Sequence, residues 1–160
     1  MTENAKLARS VCEILSSRKL TLSVAESCTG GALCTVLTGV TDCEQPLTHG
    51  FVTYTKEAKS QALAIPEKLL DEHGVISPEC AKAMADGARK VARADYGLGI
   101  TGVAGPETSE GKPVGLVFLA CAGVGETIVK RFEFGNLDRE AIRKKCVTEG
   151  LKLIQNLASS

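Results

Sequence analysis

Val24-Ala25-Glu26-Ser27-Cys28-Thr29-Gly30-Gly31 forms a corner in the chain. The segment before it, Leu20 to Ala25, is apolar enough for a strand, and Ala32 to Leu37 after it reads as a helix. A strand that turns through a polar, glycine-rich stretch into a helix is a building unit of α/β sheets. Such a turn lifts a side chain away from the sheet, and the opening amides of a helix lack partners within it. Unpaired amides suit an anion or a developing oxyanion. Ser27 and Cys28 stand at the turn, so a nucleophile and its charge stabiliser can share one corner. The same residues also suit an ordinary capped helix start, because Ser, Thr and Gly are common caps.

Outward from the corner, Leu7, Val11, Ile14 and Leu15 recur at helical spacing, which predicts an amphipathic helix over Asn4 to Ser17. Leu47 to Tyr54 predicts a second strand, followed by short helices over Lys56 to Leu63 and Pro66 to Glu72. Ser77-Pro78 is a helix start, with Ser as cap and Pro in the first turn. The helix that follows places Ala81, Met84, Ala85, Ala88 and Ala92 on one face, small enough for close packing on a sheet. Tyr96 to Thr101 reads as a third strand, ending in the second glycine-rich turn, Gly102-Val103-Ala104-Gly105-Pro106. Val114 to Ala122 and Thr127 to Phe134 are strands joined through Gly123-Val124-Gly125, a hairpin signal. Asp138 is placed to cap a last helix carrying Ile142, Cys146, Leu153, Ile154 and Leu157. The order α-β-α-β-α-α-α-β-β-β-α predicts an α/β protein: a three-layer α/β/α sandwich around one mixed sheet of about five strands. No linker or internal repeat divides the chain, so 1–160 reads as a single domain.

Composition narrows the function. Lys and Arg number 19, as do Asp and Glu, so the net charge is zero and no global field draws nucleic acid or an acidic membrane. Aromatic residues are 4% with no Trp, which argues against a single-strand binder built on base stacking. The first ten residues are polar and lack a signal-peptide core, and no apolar run is long enough to span a membrane. Seven scattered cysteines include no Cys-x-x-Cys, and His49 and His73 lie apart from them, which disfavours a zinc site. Most of these thiols read as small buried hydrophobes in a reducing cytoplasm.

A serine hydroxyl needs activation to act as a nucleophile. Neither histidine lies in a turn suited to the task, and His73, just before Gly74, reads as a helix-end residue. A lysine with a lowered pKa is the alternative base. Lys59 lies one turn beyond Thr55, so it can fold back toward the end of the second strand, where Tyr54 can relay a proton. Spacing alone equally makes Lys56 and Lys59 solvated and favours that plainer reading. Cys28 is a rival nucleophile, because a helix N-terminus favours thiolate. Adjacent residues point apart, so one of Ser27 and Cys28 faces a substrate. Thr101, Gly102, Gly105 and Pro106 form a second loop at a strand end, where open α/β sheets bind ligands. Arg139 and Arg143, one turn apart, can clamp a phosphate or carboxylate, although an unaided pair more often lies on a solvated helix face.

Together these segments resemble the CinA C-terminal domain family, the nicotinamide-nucleotide amidohydrolases. The resemblance runs through Ala25-Glu26-Ser27-Cys28-Thr29-Gly30-Gly31, Gly50-Phe51-Val52-Thr53-Tyr54 and Glu57-Ala58-Lys59. It continues through His73-Gly74-Val75-Ile76-Ser77, Ala94-Asp95-Tyr96, Thr101-Gly102-Val103-Ala104-Gly105-Pro106, Lys112-Pro113-Val114-Gly115 and Asp138-Arg139-Glu140-Ala141-Ile142-Arg143, in order along nearly the whole chain. It implies an α/β/α fold, commonly a homodimer, and a cytoplasmic enzyme of pyridine-nucleotide (NAD) salvage. The implied reaction is hydrolysis of nicotinamide mononucleotide to nicotinate mononucleotide and ammonia, with no metal or other cofactor. In family terms Ser27 is the nucleophile, Lys59 the general base and Tyr54 its assistant. Cys28, Thr29, Gly30, Gly31, Thr101, Gly102 and Gly105 would contact substrate, and Arg139 and Arg143 would take the phosphate. Lys59 and Tyr54 owe these roles to the resemblance, not to spacing.

Two departures stand out. Glu107-Thr108-Ser109 and a shorter loop replace glycines that many relatives carry after the Gly-Pro turn, which would reshape the pocket. Asn136-Leu137-Asp138 lengthens the approach to Arg139, leaving Arg143 an equal phosphate candidate. Larger relatives of this competence- and damage-inducible family carry an N-terminal pyrophosphatase-linked domain, which this sequence is not expected to include. The alternatives to the enzyme are a nucleotide-binding regulatory module and an amidase for another small amide. A DNA-binding role is disfavoured by the neutral charge.

Overall fold

The computed structural model describes residues 1–160. Its core element is the strand of the opening corner, β1 (Leu22–Glu26), buried along its whole length. Such burial on both faces is what a central parallel strand requires, and Leu22 to Ala25 meet it with small and apolar side chains, leaving Glu26 as the strand's one buried charge. β2 (Leu47–Val52) and β3 (Tyr96–Gly102) flank β1, both parallel to it. β4 (Leu116–Ala122) and β5 (Thr127–Glu133) continue the sheet antiparallel, giving the order β2-β1-β3-β4-β5. The chain therefore leaves β1 toward β2 on one side and returns to β3 on the other. That reversal opens a crevice at the carboxyl ends of the parallel strands.

Helices cover both faces, as the sequence order predicts. On one side α1 (Glu3–Ser17), α2 (Ala32–Thr38) and α6 (Arg139–Ala158) close the larger core, which joins Val11, Leu33 and Ile154 to Leu98 and Leu119 of the sheet. On the other side α3 (Lys56–Leu63), α4 (Glu67–His73) and α5 (Pro78–Ala92) build two smaller clusters. The small face of α5 lets it settle onto β3. A Cβ at Gly99 would stand 2.5 Å from the Ala81 carbonyl oxygen, so any side chain there would push the helix away. Ser77 caps α5 through the Cys80 amide, and Asp138 caps α6 through the Ala141 amide, the two start signals read in the sequence.

Some element ends differ from expectation, each for a local reason. β1 starts at Leu22 because the Leu20 amide closes α1 on Leu15 and the Thr21 amide donates to the Asp95 carboxylate. β2 stops at Val52, and by Thr55 the chain is already capping α3 through the Ala58 amide. β4 begins at Leu116 because Gly115 turns at φ +92° against the backbone of Gly135.

Candidate active site

At the end of β1 the chain turns through Gly30 (φ +60°) and Gly31 (φ +99°), left-handed conformations that glycine adopts without strain. α2 begins directly afterwards with no side-chain cap of its own. Glu26 takes that place. Its fully buried carboxylate accepts the Leu33 amide at 3.1 Å and the Cys34 amide at 3.0 Å. The opening amides of α2 are therefore occupied, unlike the expectation from the sequence. The free amides belong to the turn itself: Cys28, Thr29 and Gly31 have no backbone acceptor, whereas the Gly30 amide donates to the Ser27 carbonyl. A buried charge requires donors, and the Leu33 and Cys34 amides supply them to Glu26. Replacing Glu26 by Ala strands two buried amides and is expected to destabilise the fold by about 3 kcal/mol. Urea denaturation measures this, and a change below about 0.5 kcal/mol would remove the capping role.

Ser27 emerges from the corner half-buried, and Lys59 of α3 reaches it. Lys59 is 1% exposed, and its Nζ donates to Ser27 Oγ at 3.2 Å and to the Thr53 carbonyl at 2.7 Å. The Thr53 amide in turn donates to the Glu26 carbonyl, so the lysine's anchor continues the β1–β2 ladder. Burial pushes the Lys59 ammonium below its ordinary value, against smaller opposing effects of Cys80, Cys28 and Glu110. Burial leaves no carboxylate to pair with Lys59, a combination typical of bases rather than structural cations.

Cys28 points the other way. It is 5% exposed, belongs to the larger core, and lies against Cys146. The neighbouring Cys146 draws the Cys28 thiol down, and the same pairing pushes that of Cys146 up. The sulfur nevertheless sits in the apolar core, away from the lysine's hydrogen-bonding reach.

Ser27 and Cys28 line a cavity of about 180 Å3 together with Tyr54, Thr101, Gly102, Gly105 and Arg139. The ends of β1, β2 and β3 thus meet as the topology requires. Tyr54 is 55% exposed, and its hydroxyl accepts a hydrogen bond from Arg139 at 2.5 Å. Arg139 also donates to the Gly105 carbonyl. The Thr101 hydroxyl is committed to the Val75 carbonyl, so it fixes the cavity wall. Arg143 sits one turn further, where Nε donates to the Cys28 carbonyl at 2.9 Å. With Thr29, Arg139 and Lys144 it borders a second cavity of about 410 Å3 between α1, α2 and α6. Gly30 and Gly31 shape the turn without lining either cavity. His49 and His73 line neither cavity.

A parallel-strand crevice with a buried lysine against a serine hydroxyl is an arrangement that can support acyl-transfer chemistry. The CinA C-terminal domain model matches residues 4–158, and the chain belongs to that family. It is 41% identical over 155 residues to the nicotinamide-nucleotide amidohydrolase PncC of Escherichia coli K12, covering 96% of this chain and 93% of that protein. It is 42% identical over 142 residues to a CinA-like protein of Syntrophus aciditrophicus, covering 88% of this chain but 34% of the relative. The chain therefore spans about a third of the length of such CinA-like proteins. The crystal structure of the competence/damage inducible protein CihA from Agrobacterium tumefaciens superposes with a TM-score of 0.94 at 33% identity, covering 100% of this chain and 98% of that one.

Proposed function

We propose that this chain is a serine amidase that hydrolyses the carboxamide of nicotinamide mononucleotide, giving nicotinate mononucleotide and ammonia. The observation that carries this reading is Lys59 Nζ, buried and 3.2 Å from Ser27 Oγ. Similarity to PncC, along nearly the whole of both chains, supports the choice of amide.

In the neutral amine the contact reverses, and the Ser27 hydroxyl donates to Nζ. The Thr53 carbonyl keeps one amine hydrogen and so aims the lone pair at the serine. Lys59 takes the proton as Ser27 Oγ attacks the carboxamide carbon. The unpaired amides at Cys28 and Thr29 are the donors for the oxyanion. Tyr54 accepts from Arg139, which leaves its own O–H free to protonate the departing nitrogen. Ammonia leaves, the Tyr54 phenolate takes a proton from the water that attacks the ester carbonyl, and Lys59 returns its proton to Ser27 Oγ as the ester bond breaks. The pyridine ring and amide occupy the cavity at Ser27, and the ribose phosphate crosses Arg139 toward Arg143 and Lys144.

Ammonia release from nicotinamide mononucleotide, compared with free nicotinamide, tests this. A strong preference for the nucleotide is expected, because only it reaches the arginines. Equal rates would make the protein an amidase for another small amide. A binding module would retain the nucleotide without releasing ammonia. The same reading includes a cytoplasmic homodimer; the exposed edge strand β2, with Val52 outward, supplies a surface for a second copy. Light scattering giving a monomer mass at micromolar concentration would remove the dimer.

A further inference from the structure

The loop between β3 and β4 lines the cavity together with Ser27. It is clasped in place. The Glu110 carboxylate accepts the Val75 amide at 3.2 Å and the Ile76 amide at 2.9 Å. Lys112 Nζ donates to the Ile76 carbonyl, and Ser109 and Lys112 exchange backbone hydrogen bonds. The Val75 carbonyl is itself held by Thr101 of β3. Two anchors therefore fix the loop to the segment between α4 and α5, and the residues before Glu110 form the cavity wall.

Glu107 lies on that wall and is the only carboxylate lining the cavity. It forms no ion pair and no hydrogen bond within the protein, in contrast to Glu110 three residues later. The cavity's one cation, Arg139, is engaged by the Gly105 carbonyl and the Tyr54 hydroxyl instead. An unpaired carboxylate held at the edge of a ligand cavity attracts positive charge in the ligand.

We propose that Glu107 is a specificity-determining residue that selects amides borne on a cationic ring over neutral amides of the same shape. This rests on the nicotinamide-nucleotide reading of the same site, in which the ring nitrogen carries a permanent positive charge. Reduction to the dihydropyridine removes that charge and leaves the carboxamide, ribose and phosphate in place. The two forms therefore isolate the electrostatic contribution.

Calorimetric titration of Ser27→Ala protein with oxidised and reduced nicotinamide mononucleotide, with and without Glu107→Gln, tests the proposal. Glu107→Gln is expected to weaken binding of the oxidised form about two- to fivefold, as for a solvent-exposed charge pair, since Glu107 is itself exposed at the cavity edge. The reduced form should bind the two proteins alike, and Glu107→Asp should restore the preference. Equal weakening of both forms would assign Glu107 a steric role and overturn the proposal, as would no change in either. If wild-type protein releases no ammonia but the Glu107-dependent difference persists, the amidase reading fails and this proposal stands. Failure of both forms to bind overturns both.

Discussion

Ser27→Ala is expected to lower ammonia release from nicotinamide mononucleotide about a thousandfold or more, the scale on which removing a nucleophile acts. The hydroxyl is the group Lys59 reaches, and its removal leaves the cavity, the turn amides and Arg139 in place. Substrate binding should therefore persist, with the loss in kcat rather than KM. Ala also fits the half-buried position without a cavity or clash, so the melting temperature should change little. Full activity in Ser27→Ala would move the nucleophile to water or to Cys28. Cys28→Ser separates those two, since its thiol lies in the core and its loss should affect packing more than turnover.

Lys59→Met, which keeps length and removes the amine, is expected to lower kcat at least about a hundredfold. Lys59→Arg should not restore it, because a guanidinium does not give up its proton. The wild-type pH profile carries the same signature. Burial lowers the Lys59 pKa, so kcat/KM should rise with pH on the acid side and level off below the ordinary lysine value. Stability has a matching sign. Below the folded pKa the buried ammonium destabilises the native state in full. Between the folded pKa and the ordinary lysine value, the unfolded chain holds a proton that the native state has lost, so stability rises with pH. Lys59→Met should lack that rise. A Lys59→Met protein that keeps wild-type turnover would leave Ser27 without its base.

The sheet was legible because its signals are local. Glycines at the two turns, β-branched and small residues in the strands, and the caps at Ser77 and Asp138 each act within a few residues. The order of elements followed from these alone, and the three-layer arrangement from the βα alternation. The site depends on distances that no local pattern carries. Ser27 and Lys59 are 32 positions apart, and spacing by itself favoured a solvated lysine. What brings Lys59 inward is the end of β2 pairing beside β1, which offers the Thr53 carbonyl as an anchor. The family resemblance implied Lys59 as the base for Ser27 where periodicity could not. Glu26 was hidden for the opposite reason. A carboxylate in a strand reads as an edge or surface residue until the helix it caps is folded onto it. The clasp through Glu110 likewise joins segments 34 and 35 residues apart, so its loop read only as a departure from relatives.

Covalent catalysis by Ser27 is tested most directly by peptide mass spectrometry of protein acid-quenched during turnover of nicotinamide mononucleotide. A nicotinate-ribotide ester, substrate less ammonia, is expected on the peptide carrying Ser27, assigned to that side chain by fragmentation. The same adduct on Cys28, or an unmodified peptide together with undiminished turnover in Ser27→Ala protein, would contradict it.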